Sequence, residues 1–391
     1  MFVWAGRTSH PLTFFSQRLK FGKKNLGGCT SNVTRKTFHF CLKYFAALNQ
    51  PWFVPMRQPL EEKFAAITDL ARWSPYRILI GVSGGADSVA LLRLFSSWRE
   101  TFGLKLFAAH ANHQLRGEES DRDEAFVRKL CETLDVQCVC ERLVIKRTAD
   151  GLEADARRAR YDFLTRTAET LGCRFLALAH HQDDQAETIL YRILRGTGPA
   201  GLAGMTKLRR LTEAVTLVRP LLTFTRAEIL DYLTAIGQRF RTDSSNFNVR
   251  LARNRLRLEL LPKLRQDFNP MLDAALVRLG ALVGETQCFV EAQAQRLADL
   301  CVAPVGNGFR IQPALPEVRQ FTDFLPEGSR RFLWTELFRL LWRKNGLPQQ
   351  NMGQEEWSQL AQMAMNEEET ARVFPGKVQV RREDGGIWIE F

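Results

Sequence analysis

Residues 77–88 read RILIGVSGGADS, and this stretch decides the fold. Arg77–Val82 is a short apolar run ending in turn residues, the mark of a buried strand. Ala86–Arg99 follows, with Val89, Leu91, Leu92 and Phe95 at the spacing of a helix core face. Between them lie Ser83, Gly84, Gly85, Ala86, Asp87 and Ser88, the candidate cofactor-binding residues. The two glycines let the backbone turn sharply and present its N–H groups without obstruction. The helix behind them aims the positive end of its dipole at the same point. Ser83 and Ser88 add hydroxyls, so the turn suits an anion. Asp87 disfavours a bare phosphate, which points to a divalent cation between carboxylate and phosphate, with Asp87 as metal ligand. The loop is not a Walker A sequence, which needs a lysine before its Ser/Thr.

Outward from this turn, strands and helices alternate. Leu104–Ala109 reads as a strand and Ser120–Leu134 as a helix, with Ser120-Asp-Arg-Asp123 as its capping start. Val136–Ile145 reads as a strand, and Glu153–Leu171 as a helix closed by Gly172. Arg174–Ala179 is a further strand and Asp184–Leu194 the next helix. This alternation predicts an α/β fold, an open, mostly parallel sheet with helices on both faces. Helical patterns follow at 225–236, 271–300, 329–345 and 354–366. Phe332, Trp334, Phe338 and Trp342 recur at helical spacing and read as core. Lys377–Arg382 and Ile387–Phe391 flank Asp384-Gly385-Gly386 as a hairpin. The break at Asn269-Pro270 divides the chain into an α/β domain, 56–268, and a smaller, mainly helical domain, 269–391, ending in the β-hairpin.

The chain has 391 residues, 45% hydrophobic and 25% charged. That balance excludes a mainly disordered chain, a collagen and a small disulfide scaffold. No apolar run approaches the roughly 18 residues of a membrane-spanning helix, so a soluble, cytoplasmic protein is expected. Net charge is +12, but the first 60 residues hold nine Lys/Arg and no acid, leaving +3 for the rest. Residues 1–55 are thus a basic lead with no fold expected of it. It reads as an organellar transit peptide, as a stretch upstream of a start at Met56, or as a basic arm for a polyanion. The eight cysteines include no CxxC pair and read as buried thiols in a reducing compartment.

Four further segments carry chemistry. His180-His-Gln-Asp-Asp-Gln-Ala-Glu-Thr188 follows a strand and opens a helix. Asp184 and Glu187, three apart, can project from one side of its first turn. They read either as capping groups, with Asp183 or Asp184 as cap and Glu187 closing a box, or as a carboxylate pair for a metal or an ammonium. In Glu153–Tyr161 (EADARRARY), Arg157 and Arg160 share a helix face suited to a phosphate or an adenylate. Ala111–Ser120 (ANHQLRGEES) brings His113 and Arg116 to the sheet edge that bears the phosphate loop. Residues 239–265 carry eight Arg/Lys against Asp243 and Glu259. Arg253, Arg255 and Arg257 lie at the centre of this basic run, which suits an RNA backbone. Gly196–Gly201 fits GxGxxG, yet it follows a helix rather than a strand and so reads as a loop.

SGGADS resembles the fingerprint of the PP-loop ATP pyrophosphatases. With HQLRGEESDRDE, EADARRARY, AHHQDDQAET and RGTGPAGLAGM in this order, the chain resembles the tRNA(Ile)-lysidine synthetases within that group. The likeness covers about 75–270 well and stays visible to the FPGKVQVRREDGG segment. It implies an adenine nucleotide α-hydrolase-like fold and two cofactors, ATP and Mg²⁺. It implies attachment of L-lysine to C2 of the wobble cytidine of a CAU-anticodon tRNA(Ile), through an adenylated base, with release of pyrophosphate and AMP. Carried over by motif, Ser83, Gly84, Gly85, Asp87 and Ser88 cradle pyrophosphate and Mg²⁺. Arg157 and Arg160 steady the ATP or the adenylated base, and Asp184 and Glu187 receive the lysine ammonium. His113, His181 or a water takes the amine's proton.

Some members of that family carry a further C-terminal domain, which a chain ending at Phe391 is expected to lack. A homodimer stays open. So do two other readings, a PP-loop tRNA thiolase and a catalytically silent RNA- or nucleotide-binding protein. The missing CxxC cysteines disfavour the first, and the intact SGGADS, Asp184 and Glu187 disfavour the second.

Overall fold

Alternate residues of the first strand serve two cores. In the computed structural model, β1 (Arg77–Gly81) turns Ile78 and Ile80 to one face of a six-stranded sheet and Leu79 to the other. The structure describes residues 57–391 except 115–116, 146, 149–150, 243–251, 350, 367 and 369, and except the side chains of 153, 252 and 253. The basic lead, Arg116, Arg250 and the Arg253 side chain therefore lie outside the described residues.

The first face of the sheet carries α1 (Pro59–Ile67), α2 (Leu70–Trp73), α3 (Ala86–Phe102) and, beyond β2 (Lys105–Asn112), α4 (Glu118–Thr133). After β3 (Gln137–Arg142), α5 (Leu152–Thr170) covers the opposite face through Phe163, Leu164 and Ala168. Helices on both faces follow from parallel pairing, because each parallel neighbour needs a crossover. β1 pairs in parallel with β2 and with β4 (Cys173–Ala177), and β4 in parallel with β6 (Thr216–Val218). β5 (Leu208–Arg210) closes the edge antiparallel to β6. The order is β3-β2-β1-β4-β6-β5.

The next helices are α6 (Gln182–Leu194), α7 (Pro199–Leu202) and α8 (Arg226–Ala235). The GxGxxG stretch thus forms a short turn of helix after α6, with no strand before it. Beyond the undescribed 243–251 come α9 (Ala252–Arg255), a π turn (Leu256–Leu260) and α10 (Leu261–Asp267). Then α11 (Leu272–Cys301) runs for 30 residues. Gly280 lets it approach α6 closely, since a Cβ there would meet Ile189 Cδ1 at 2.6 Å.

The C-terminal hairpin, β10 (Val378–Glu383) and β11 (Gly386–Glu390), forms as expected but sits inside a larger antiparallel sheet. With β7 (Val302–Val305), β8 (Gly308–Ile311) and β9 (Thr370–Phe374) the order is β7-β8-β11-β10-β9. α12 (Pro316–Thr322), α13 (Glu327–Lys344) and α14 (Gln354–Met365) complete this region. Trp334, Phe338 and Trp342 are core, as their spacing predicts, while Phe332 stays 40% exposed.

α4 is capped by Gly117, three residues ahead of the expected Ser120 cap, and Ser120 is buried within its first turn. Among the described residues no helix is long and apolar enough to cross a membrane.

α1 is held to α3 and to the segment leading into α8 by Phe64, fully buried edge-to-face on Phe95 at 5.1 Å and against Phe224 at 6.5 Å. Phe64→Ala is expected to cost about 3–5 kcal/mol. Urea unfolding monitored by circular dichroism checks this, and a loss below 1 kcal/mol would show that α1 is dispensable to the core.

Candidate active site at the sheet's switch point

The strand order places the site. The chain leaves β1 towards β2 on one side, and later returns to β4 on the other, so the direction of winding reverses between β1 and β4. Such a reversal opens a crevice beyond the carboxyl ends of the two strands. SGGADS leaves β1 there and HHQDD leaves β4. A cavity of about 760 Å³ fills the crevice, lined by Ser83, Gly85, Ala86, Asp87, Ser88, His113, Arg160 and His180 among others.

Gly84 carries the loop's unusual geometry, at φ +93°. Gly85 is extended, at φ −71°, and caps α3. The two glycines quoted from the sequence thus have separate duties. The Ser88 hydroxyl donates to Gly85 O at 3.0 Å and accepts the Ser83 N–H at 3.1 Å. Ser88 therefore shapes the cradle from within. From outside, the Arg241 N–H donates to Gly84 O at 2.9 Å. The Arg241 guanidinium meets Asp123 of α4 at 2.8 Å, which fixes the strap 240–242 beside the loop.

Asp87, in the first turn of α3, has one carboxylate oxygen, Oδ1, that is buried without a hydrogen-bond partner among the described residues. Burial holds its pKa above the usual carboxylate range, against the pull of His181 and Arg226. Its Oδ2 lies 3.7 Å from His181 Nε2, and Asp184 Oδ2 lies 3.5 Å from the same nitrogen. An orphaned buried carboxylate oxygen beside a second carboxylate fits a cation. Among the described residues no cluster of three or more His, Cys, Asp or Glu makes a protein-only cage. A hard cation here would complete its shell with phosphate oxygens and water, as Mg²⁺ commonly does.

The capping of α6 differs from either expected arrangement. His181 is the N-cap: its Nδ1 accepts the Asp184 N–H at 3.4 Å, and its own N–H donates to Asp184 Oδ2 at 3.2 Å. Asp183 instead accepts the Arg226 N–H at 3.0 Å, tying α8 to α6. Burial works against a charge on His181, but Asp183, Asp184 and Asp87 together raise its pKa. Asp183, despite its burial, is held down to about 2 by His181 and the Arg226 N–H.

Asp184 and Glu187 face different partners. Asp184 meets His181, whereas Glu187 is buried and pairs with Arg257 Nε at 2.9 Å. Of the three arginines read as RNA contacts, Arg257 turns into the cavity from the π turn. Arg255 is exposed, 3.8 Å from Glu259. A π turn re-aims side chains within a helix and often marks a functional site.

His113 lines the cavity, and burial followed by the Arg160 charge lowers its pKa. His180 is lowered further, chiefly by burial. Arg157 is exposed and stacks on Tyr161 at 5.1 Å. The sequence reading left out Phe240 and Arg226, which also line the cavity, and did not single out Arg241 from the basic run. Phe240 is an aromatic within a basic stretch, a signal that could have been used.

A model of the PP-loop domain, an ATP-binding family, matches residues 56–264. The chain belongs to the PP-loop family. The tRNA(Ile)-lysidine synthase of Bacteroides thetaiotaomicron is 39% identical over 245 residues, which are 62% of this chain and 55% of that one. That of Rhodopirellula baltica is 40% identical over 244 residues, 58% of this chain and 61% of its own. That of Geobacter sulfurreducens is 43% identical over 218 residues, 55% of this chain and 45% of its own. The chain spans about half the length of the curated relatives it matches.

Within the PP-loop the two glycines should respond differently to a methyl group. Gly84→Ala is expected to cost about 1–3 kcal/mol, because φ +93° strains any L side chain. Gly85→Ala has ordinary φ, and its Cβ would meet Ser83 Oγ at 3.5 Å, an ordinary contact. Because Gly85 is the N-cap of α3, where glycine is preferred to alanine, the change should cost no more than about 1 kcal/mol. Equal losses in chemical denaturation would contradict this division of labour.

Proposed function

We propose that this chain is a tRNA(Ile)-lysidine synthetase. One juxtaposition carries the reading: the phosphate loop's Asp87 and the first turn of α6, about a hundred residues later, converge on one imidazole, His181, within 3.7 Å. A nucleotide's phosphates and a cationic substrate group are then served at one crevice. The names of the relatives and the order of the sequence motifs support the same reading.

In this proposal the SGGADS loop holds the triphosphate of ATP, and the C2 oxygen of the wobble cytidine attacks the α-phosphorus. Pyrophosphate leaves. The base is then an adenylate, so the oxygen can depart as part of AMP. The lysine amine, after losing a proton, forms the new bond to C2. Asp87, through its Oδ1, unpartnered among the described residues, would hold Mg²⁺, which would neutralise phosphate charge and favour departure of pyrophosphate. Arg160, and Arg157 beside it, would steady the adenylate, as guanidinium geometry suits.

Asp184 would receive the lysine ammonium. Glu187 would take part through its Arg257 pair, whose cation competes with any other for that carboxylate. Carboxylates attract and orient an ammonium while raising its pKa, so they contribute positioning rather than proton removal. His113 has the properties of the base. It lines the cavity, burial and Arg160 keep it neutral, and its Nδ1 is buried with no hydrogen-bond partner among the described residues.

The decisive assay combines protein, ATP, Mg²⁺, labelled lysine and an unmodified CAU-anticodon tRNA(Ile). Lysine should enter the tRNA with release of AMP and pyrophosphate. Asp87→Ala should lower pyrophosphate release by at least about a hundredfold, the scale of a lost electrostatic stabiliser. Sulfur-dependent product, or RNA binding with no turnover of ATP, would replace the ligase reading.

The second step should also report on His113. A base must be neutral, so rate falls as pH drops through its pKa. Because that pKa is lowered, the acid limb of lysine transfer to preformed adenylate should lie below the ordinary histidine range. His113→Gln should slow this step and remove that limb. An unchanged profile would assign the proton to another acceptor.

A further inference from the structure

We infer that Arg157, Arg160, Arg209 and Arg219, gathered around Tyr161, form a phosphate-ester site in which Arg209 and Arg219 hold the backbone of the substrate RNA beside the adenylate that Arg160 and Arg157 steady. The guanidinium carbons of Arg157, Arg160 and Arg209 lie 5.1, 5.8 and 5.9 Å from the centre of the Tyr161 ring. They come from two elements far apart in sequence, α5 and the edge strand β5. Arg219, at the end of β6, is 4% exposed and donates to Thr206 O at 2.7 Å. Burial lowers its pKa and Tyr161 opposes that, while the nearby charges of Arg209 and Arg157 add to the lowering.

Four like charges around one ring repel each other, and the ring's π face offsets only part of this. Among the described residues, no carboxylate pairs with Arg157, Arg209 or Arg219. Arg157 meets the Tyr161 ring and hydroxyl, Arg209 the ring, and Arg219 the Thr206 carbonyl and the tyrosine. An arrangement of this sign is complemented by an anion. Planar forks converging from several directions match the oxygens of a phosphate, which several guanidiniums can share.

The position selects the source of that phosphate. Arg160 belongs both to this cluster and to the lining of the cavity. Arg209 is exposed on the antiparallel edge strand, with Lys207 and Arg210 exposed beside it. A polymer can therefore lie along the edge while one of its bases enters the crevice, and phosphate contacts fix such a register without reading sequence. The RNA assignment rests on the proposed ligase reading; the anion site itself does not.

The test measures two ligands separately. A fluorescein-labelled CAU anticodon stem-loop is titrated by anisotropy across a salt series, and ATPγS by calorimetry. Arg209→Gln, an exposed change that spares the core, should weaken RNA binding about three- to tenfold. It should also flatten the slope of log K against log salt by about 0.7, one single-strand phosphate contact. Tyr161→Leu should weaken RNA binding as well, by releasing the guanidiniums from their common ring. Arg122→Gln removes an exposed arginine of α4 paired with Glu118, and should change neither ligand beyond twofold.

If Arg209→Gln weakens ATPγS and spares RNA, the phosphate is the nucleotide's and the RNA source is overturned. If neither ligand responds to Arg209→Gln or Tyr161→Leu, the site is overturned. Lysine incorporation by the unaltered protein is read in parallel, so RNA binding without incorporation refutes the ligase and leaves this site standing.

Discussion

The structure depends on a half-buried carboxylate, one oxygen fully withdrawn from water, at the point where a backbone dipole is also aimed. Asp87 sits in the first turn of α3, half-buried, with one carboxylate oxygen withdrawn from water and unpaired among the described residues. Desolvating a carboxylate is expensive unless a cation answers it. His181 is the nearest candidate, at 3.7 Å, and it in turn is held by Asp184 through the reciprocal cap of α6. The cap that starts a helix therefore also sets the position of the group facing the phosphate loop. Asp183 extends the same chain of contacts to the start of α8. Three helices are indexed to one another through one imidazole.

The crevice is electrically polarised around that point. Asp87, Asp183 and Asp184 gather where β1 and β4 end, whereas Arg160, Arg157, Arg209 and Arg219 gather on the side of α5 and β5. A mixed arrangement would let these groups neutralise each other. The separation is partial, because Arg226 and Arg257 also line the crevice near Asp87, where Arg257 is taken up by Glu187. His113 and His180 also line the crevice; burial lowers the pKa of both, helped at His113 by Arg160 and opposed at His180 by Asp184. A neutral imidazole can accept a proton and an imidazolium cannot. The arginines thus act on the histidines as well as on any anion.

Sequence conveyed the elements whose signal is local and periodic. β1, the glycine turn and α3 are legible because an apolar run, two glycines and a helical stripe fall within some 25 residues. The hairpin at the end is legible through Asp384-Gly385-Gly386 for the same reason. β5 and β6 were not legible: each has three residues, and β5 is exposed throughout, so neither shows a period. β7 escaped because Val302-Ala-Pro-Val305 is mostly exposed and contains a proline, tolerated at the edge of its sheet. β7, β8 and β9 exist as strands only through pairing with the hairpin or with each other.

The site was legible by residue type and not by partner. Asp184 and Glu187 were recognisable as a pair at helical spacing, yet the structure gives them separate cations, His181 and Arg257. Arg257 is seventy residues further on, and its direction is set by a π turn. No local pattern encodes that turn, because inserting one residue into a helix changes only which way the following side chains point. A basic run in the sequence looks like one surface. Here its members diverge: Arg241 straps the phosphate loop, Arg257 enters the crevice and Arg255 faces solvent. Charge composition says how much positive potential a segment carries, and only the backbone geometry says which pocket receives it.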